Sequence, residues 1–245
     1  MKTKTGISAL TMALALAACG SENANNTTAA APAASVAPPA GTTWVETVTK
    51  TADGGFLMGN PNATVKLVEY GSLTCSHCAV FAETGLSALK EKYISRGTVS
   101  LEFRNFVRDP IDMTAALLSR CNGAGPFYQL TDQIFAEQEQ LLSRFQSLGE
   151  AGFQRIQSLP PEQMFGEFAK AGGLDQFVQQ RGVSSEKAAT CLSNKAAVDE
   201  LVGMQKRAVD DFNVNATPTF LINGQVATNA ADWTNLEPQI RAAGG

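Results

Sequence analysis

Histidine occurs once in this chain, at position 77, and that scarcity removes whole classes of chemistry. A structural zinc site wants four ligands, usually a second C-x-x-C or a spaced histidine pair, and neither accompanies Cys75-Ser76-His77-Cys78. A c-type haem attachment needs histidine directly after the second cysteine, where this chain has Ala79. No metal and no cofactor is therefore expected. Clustered lysine and arginine are missing too. With 19 basic against 23 acidic residues the formal net charge is −4, which gives no support to nucleic-acid binding. The apolar run Ile7 to Ala18 is too short to span a bilayer comfortably, and no internal repeat is present. A chain of 245 residues, one domain or one domain with an insertion, buries a core that needs no staples. Its five cysteines call for another explanation.

What is there begins with a compartment signal. Met1-Lys2-Thr3-Lys4 is a short basic start, and the Ala/Leu-rich run behind it fits a secretory signal core. The run ends in Leu16-Ala17-Ala18-Cys19, which resembles the lipobox of bacterial lipoproteins, where cleavage precedes a cysteine that is then acylated. The alternative is a plain signal peptide cut elsewhere, with Cys19 incidental. The lipoprotein reading is preferred because the following residues suit a tether. Residues 1–18 are expected to be the signal peptide, Cys19 the lipid anchor, and residues 19–42 a flexible linker of Asn, Thr, Ala and Pro. An exported chain is also one in which disulfides persist.

Folded sequence is expected from Thr43. The turn Gly59-Asn60-Pro61 leads into Thr64 to Tyr70, β-branched and apolar as a buried strand should be. Helical spacing follows Cys75 through Val80, Phe81, Leu86 and Leu89. A second strand is expected at Val99 to Phe106, with Leu101 and Phe103 alternating with Glu102 and Arg104. From Ile111 to about Phe212 the chain reads as helices, at 113–121, 127–145, 162–171, 174–181 and 196–212. Strand character returns at Thr219 to Ile222, Asn223-Gly224 is a hairpin turn, and a last helix runs past Trp233, Leu236 and Ile240. The order implies an α/β domain in two parts, residues 43–110 and 206–245, interrupted by an all-helical insertion at 111–205.

The chemistry concentrates at Cys75-Ser76-His77-Cys78. A C-x-x-C at a strand-to-helix junction places Cys75 at unpaired helical N–H groups and the positive end of the dipole, both of which favour thiolate. Cys78, one turn on and more buried, can resolve a mixed disulfide formed at Cys75. His77 beside the nucleophile is expected to lower the Cys75 pKa further, at about 1.4 kcal/mol per unit. Stabilising the reduced form makes the oxidised pair a stronger oxidant, by roughly 30 mV per 1.4 kcal/mol.

Together with Val68-Glu69-Tyr70, the helical insertion and Thr217-Pro218, this motif resembles the DsbA-type thiol–disulfide oxidoreductases of bacterial envelopes, over nearly all of Thr43 to Ala243. The resemblance implies a thioredoxin-like fold with an inserted helical domain. It implies that Pro218 is cis, with Thr217, Pro218 and Ser76 facing substrate, and that Glu69 accepts a proton from Cys78. An ordinary strand-end glutamate is the alternative for Glu69. The inner dipeptide is Ser-His where the best-known oxidases of the type carry Pro-His, and Thr217 matches isomerase and reductase relatives as well as oxidases. The isomerases dimerise through an extra N-terminal domain, for which residues 19–43 leave no room, so a monomeric oxidase is the better fit. Its implied partners are exported protein thiols as substrates and a membrane redox partner that resets the pair; a reductase or isomerase kept reduced by an envelope donor is the alternative. Cys121 and Cys191 are either two buried thiols or, as the exported context favours, a structural disulfide.

Overall fold

The computed structural model describes residues 1, 2 and 33–245. Cys19, most of the expected signal peptide and part of the expected linker lie outside the described residues. From residue 33 the linker differs from expectation, because its backbone is paired to the body. Ala33 N–H donates to Gly244 O (3.0 Å) and Val36 N–H to Arg96 O (2.9 Å), while the Trp44 indole donates to Val36 O (2.7 Å). Composition reports side-chain burial and is blind to such main-chain pairing. Among the described residues no helix is long and apolar enough to cross a membrane.

Two strands of three residues, β1 (Val48–Lys50) and β2 (Phe56–Met58), precede β3 (Val65–Gly71). Three residues are too few to show a period, which is why sequence reading passes over both. β3 leads into α1 (Ser76–Thr84), continued by α2 (Leu86–Leu89) and a π-helical turn at Lys90–Ile94. After β4 (Val99–Asn105) come seven helices: α3 (Pro110–Ser119), α4 (Ala124–Ala136), α5 (Gln138–Ser147), α6 (Gly149–Gln157), α7 (Pro161–Gly172), α8 (Leu174–Gln179) and α9 (Ser185–Leu192). Then α10 (Lys195–Phe212) returns the chain to β5 (Thr219–Ile222), β6 (Gln225–Val226) and α11 (Trp233–Ala242).

The strands form one sheet in the order β1-β2-β4-β3-β5-β6. β3 and β4 are parallel; every other pair is antiparallel. β3 alternates, as a strand must. Val65, Leu67 and Glu69 enter one side, where α1 lays Phe81 against Phe220 of β5 at a centroid distance of 4.6 Å. Tyr70 enters the other, packing with Phe106, Leu221, Val214 and Ala208 of α10. Glu102 and Arg104 share that second side and are not the solvent-facing residues that alternation predicts. They form a half-buried ion pair (2.9 Å), and Arg104 also donates to the Tyr70 hydroxyl (3.1 Å). Cover by α10 makes a two-sided strand of one that reads as one-sided.

The helical block is tied to the sheet through α4. Phe127 stacks on Phe56 with ring centroids 4.1 Å apart, and the Tyr128 hydroxyl sits between β2 and β4, accepting from Phe103 N–H (3.1 Å). Cys121, just after α3, and Cys191, in α9, are joined as a disulfide with Cα atoms 5.7 Å apart, cross-linking positions 70 residues apart in sequence. Residue 205, the expected end of the insertion, falls inside α10. One continuous helix carries Leu201 into the main core and Ala208 into the cluster on the far side of the sheet.

Candidate active site

Cys75 is the N-cap of α1, with extended backbone (φ −91°, ψ 120°), so its sulfur lies at the end of the helix where N–H groups have no helical partner. It is 4% exposed, and Cys78, one turn on, is fully buried; both are free thiols. Ser76 and His77 between them are exposed. The Thr217–Pro218 bond is cis, and the Thr217 carbonyl lies 3.2 Å from Cys75 Sγ, where it accepts the proton when Cys75 is in its thiol form. Behind the pair, Ser72 N–H donates to Cys78 Sγ at 3.5 Å.

This arrangement splits the two thiols. The Cys78 thiol donates toward the Cys75 sulfur, and this outweighs burial to bring Cys75 down to about 4. Thr217 and the backbone N–H groups of Cys78 and His77 add to the effect. The Thr217 hydroxyl, buried and without a partner, is a donor available to the thiolate. His77 contributes its main-chain N–H to the Cys75 sulfur, and its side chain is exposed. For Cys78 the direction reverses: its bond to Cys75, burial and the nearby Glu69 all push it up.

Glu69 sits on β3 beneath this pair, 4% exposed, with one carboxyl oxygen lacking any hydrogen-bond partner. Burial, then the charges of Asp132 and Cys75, raise it to about 8. Gly71 makes room for it. A Cβ at that position would lie 2.5 Å from the Phe103 ring and 3.0 Å from Glu69 Oε1. A carboxyl raised from 4.5 to about 8 costs stability as pH climbs through that window, and nothing below it. Glu69→Leu should therefore gain up to about 3 kcal/mol more stability at pH 7 than at pH 4. Urea melts at the two pH values check this; an equal gain at both would show that Glu69 is not a raised acid.

Two residues that sequence reasoning missed also reach this region. Asp112 of α3, 1% exposed, accepts from Ser72 Oγ (2.6 Å), Leu73 N–H (2.8 Å) and Arg108 N–H (3.0 Å). Gln138, at the start of α5, donates to Leu73 O (2.9 Å) and Cys75 O (3.1 Å). The one sign of Asp112 in the sequence is a charged residue inside the apolar run Ile111 to Leu118. Gln138 has none, since residues 127–145 read as one helix; the structure breaks it at Glu137, which ends α4 and starts α5. Cys121 and Cys191 are bonded to each other within the helical block. Among the described residues no group of three or more His, Cys, Asp or Glu could hold a metal ion.

Comparison with known proteins agrees with this geometry. A thioredoxin family model matches residues 51–242. The crystal structure of a protein-disulfide isomerase from Novosphingobium aromaticivorans is 35% identical, with TM-score 0.75, covering 78% of this chain and 98% of that one. Wolbachia pipientis alpha-DsbA1 shares the fold at 22% identity and TM-score 0.60, over 75% of this chain and 87% of its own. A Rickettsia conorii protein provisionally named a protein-disulfide oxidoreductase is 27% identical over 183 residues, 74% of this chain; the match spans only 57% of that relative's length. With a family match across most of its length and a helical block set between β4 and β5, the chain belongs to the thioredoxin family and has the DsbA-type architecture within it.

Proposed function

We propose that this protein is a thiol–disulfide oxidoreductase that introduces disulfides into exported proteins, using Cys75 and Cys78. The observation that carries the reading is the placement of the pair: Cys75 caps the N-terminus of α1 beside Thr217 while Cys78 is fully buried behind it, which holds Cys75 down and pushes Cys78 up. A stabilised Cys75 thiolate makes the reduced state favourable and the Cys75–Cys78 disulfide an oxidant. A substrate thiolate attacks Cys75 Sγ, the Cys75–Cys78 bond breaks, and Cys78 leaves as thiolate and takes up a proton from Glu69. A second substrate thiolate then attacks the substrate sulfur of the mixed disulfide, and Cys75 departs as thiolate. The substrate gains a disulfide and the enzyme two reduced cysteines, to be reoxidised by a membrane redox partner. Thr217 and Pro218, beside the Cys75 sulfur, and exposed Ser76 form the surface a substrate backbone would meet. The basic start, the apolar run and Leu16-Ala17-Ala18-Cys19 support an envelope location with Cys19 as lipid anchor.

A second reading, disulfide isomerase or reductase, draws on Thr217 before the cis-proline and on the isomerase title of the Novosphingobium relative. The reduction potential of the pair separates the two. Equilibrated against glutathione, an oxidase should settle well above the glutathione poise of roughly −220 to −260 mV. A value near the roughly −270 mV of thioredoxin would overturn the oxidase reading.

A further inference from the structure

The loop Ser72 to Cys75, which carries β3 into α1, is gripped by the helical block through two buried polar side chains. Asp112 takes the Ser72 hydroxyl and the Leu73 N–H, and Gln138 takes the carbonyls of Leu73 and Cys75. Three of the four loop residues thus send polar groups to α3 and α5. The same loop turns the Ser72 N–H toward Cys78 Sγ at 3.5 Å. Among the described residues that N–H is the one backbone donor to a sulfur otherwise surrounded by core.

We infer that Asp112 and Gln138 are positioning residues for Cys78: by fixing the loop, they hold the Ser72 N–H where negative charge appears on the Cys78 sulfur. The inference rests on the exchange chemistry proposed above, though not on its direction. In the step concerned, the Cys78 thiol gives its proton to Glu69 and its sulfur bonds to Cys75 Sγ. The bond from Cys75 to the partner sulfur breaks, and the partner leaves as a thiolate. The reverse step passes through the same transition state with the same charge on Cys78, so an oxidase and a reductase need the donor equally. Cys75 draws its own stabilisation first from the Cys78 thiol, then from Thr217 and the N–H groups that open α1, and not from Asp112.

The two halves of the exchange are read separately by mixing the reduced protein at pH 8 with 4,4′-dithiodipyridine in a stopped-flow instrument. The first thiopyridone is released when Cys75 attacks, the second when Cys78 closes the disulfide. Asp112→Asn keeps the shape but removes an acceptor oxygen. It should leave the first phase within about twofold and slow the second about tenfold, the size of one hydrogen bond to a charged group. Gln138→Leu should act in the same sense. Should Asp112→Asn fail to fold, Ser72→Ala, which removes the 2.6 Å bond to Asp112 together with the longer contacts of that hydroxyl to Thr74, should slow the second phase severalfold, and Ser72→Thr should restore it. An unchanged second phase in Asp112→Asn and Gln138→Leu, or equal slowing of both phases, would overturn the inference. A wild type that never closes the Cys75–Cys78 disulfide would instead sink the exchange reading itself.

Discussion

Replacing Cys75 by serine should reduce thiol–disulfide exchange to background, whereas replacing Cys78 should leave a protein that reacts once and stops. The asymmetry follows from where the sulfurs are. Cys75 is the sulfur at the open end of α1, beside the cis-proline loop, and is a thiolate at neutral pH. A serine hydroxyl there ionises far too weakly to replace it as a nucleophile. Cys78 is fully buried, so without Cys75 it has no route to a substrate sulfur. Cys78→Ser retains the reactive thiolate but loses the group that resolves the mixed disulfide. Mass spectrometry after incubation with an oxidised peptide should show a stable one-to-one adduct on Cys78→Ser and none on Cys75→Ser. An adduct that forms equally on both variants would contradict the assignment of roles.

The relative stability of the reduced and oxidised protein should change sign with pH. A thiol whose folded pKa is about 4 against an ordinary 9.0 stabilises the reduced fold fully above pH 9 and loses that contribution as pH falls through 4. At pH 7 three of the five units have been realised, up to about 4 kcal/mol. Against it stands the disulfide. Closing a four-residue loop restricts the unfolded chain by about 2 kcal/mol in the chain-entropy model. Reduced protein should therefore be the more stable by about 2 kcal/mol at pH 7, and oxidised protein the more stable at pH 4, with the crossing at roughly pH 5 to 6. Glu69 is present in both states, so its own penalty largely cancels in the comparison. Parallel thermal melts of the two forms across this range test the point. An oxidised form that stays the more stable at pH 7 would mean that Cys75 is not an ionised thiol there, and would remove the basis for an oxidant.

Much of this protein follows from residue patterns that act over a few neighbouring positions. β3, β4, β5 and α1 were visible because apolar spacing is a local property. So was the helical stretch between β4 and β5, punctuated by glycine and proline. The reactive pair was legible from four residues and their junction, since a helix N-terminus acts on whatever thiol occupies it. What escaped reading was whatever depends on partners distant in sequence. β1 and β2 have three residues each and exist because β4 offers an edge to β2, which in turn pairs with β1. The Glu102–Arg104 pair is enclosed only because α10 crosses over it. Glu69 reads the same whether it ends a strand in solvent or, as here, lies buried with an unpartnered oxygen; only its surroundings make it an acid of about 8. Asp112 and Gln138 follow the same logic. They lie 40 and 66 residues beyond Ser72 and Ser72's loop is reached only when α3 and α5 pack against it. Residue type sets which group can lose a proton or donate a bond, and it is local. Burial and contact between distant segments set how strongly, and these are decided when the chain folds.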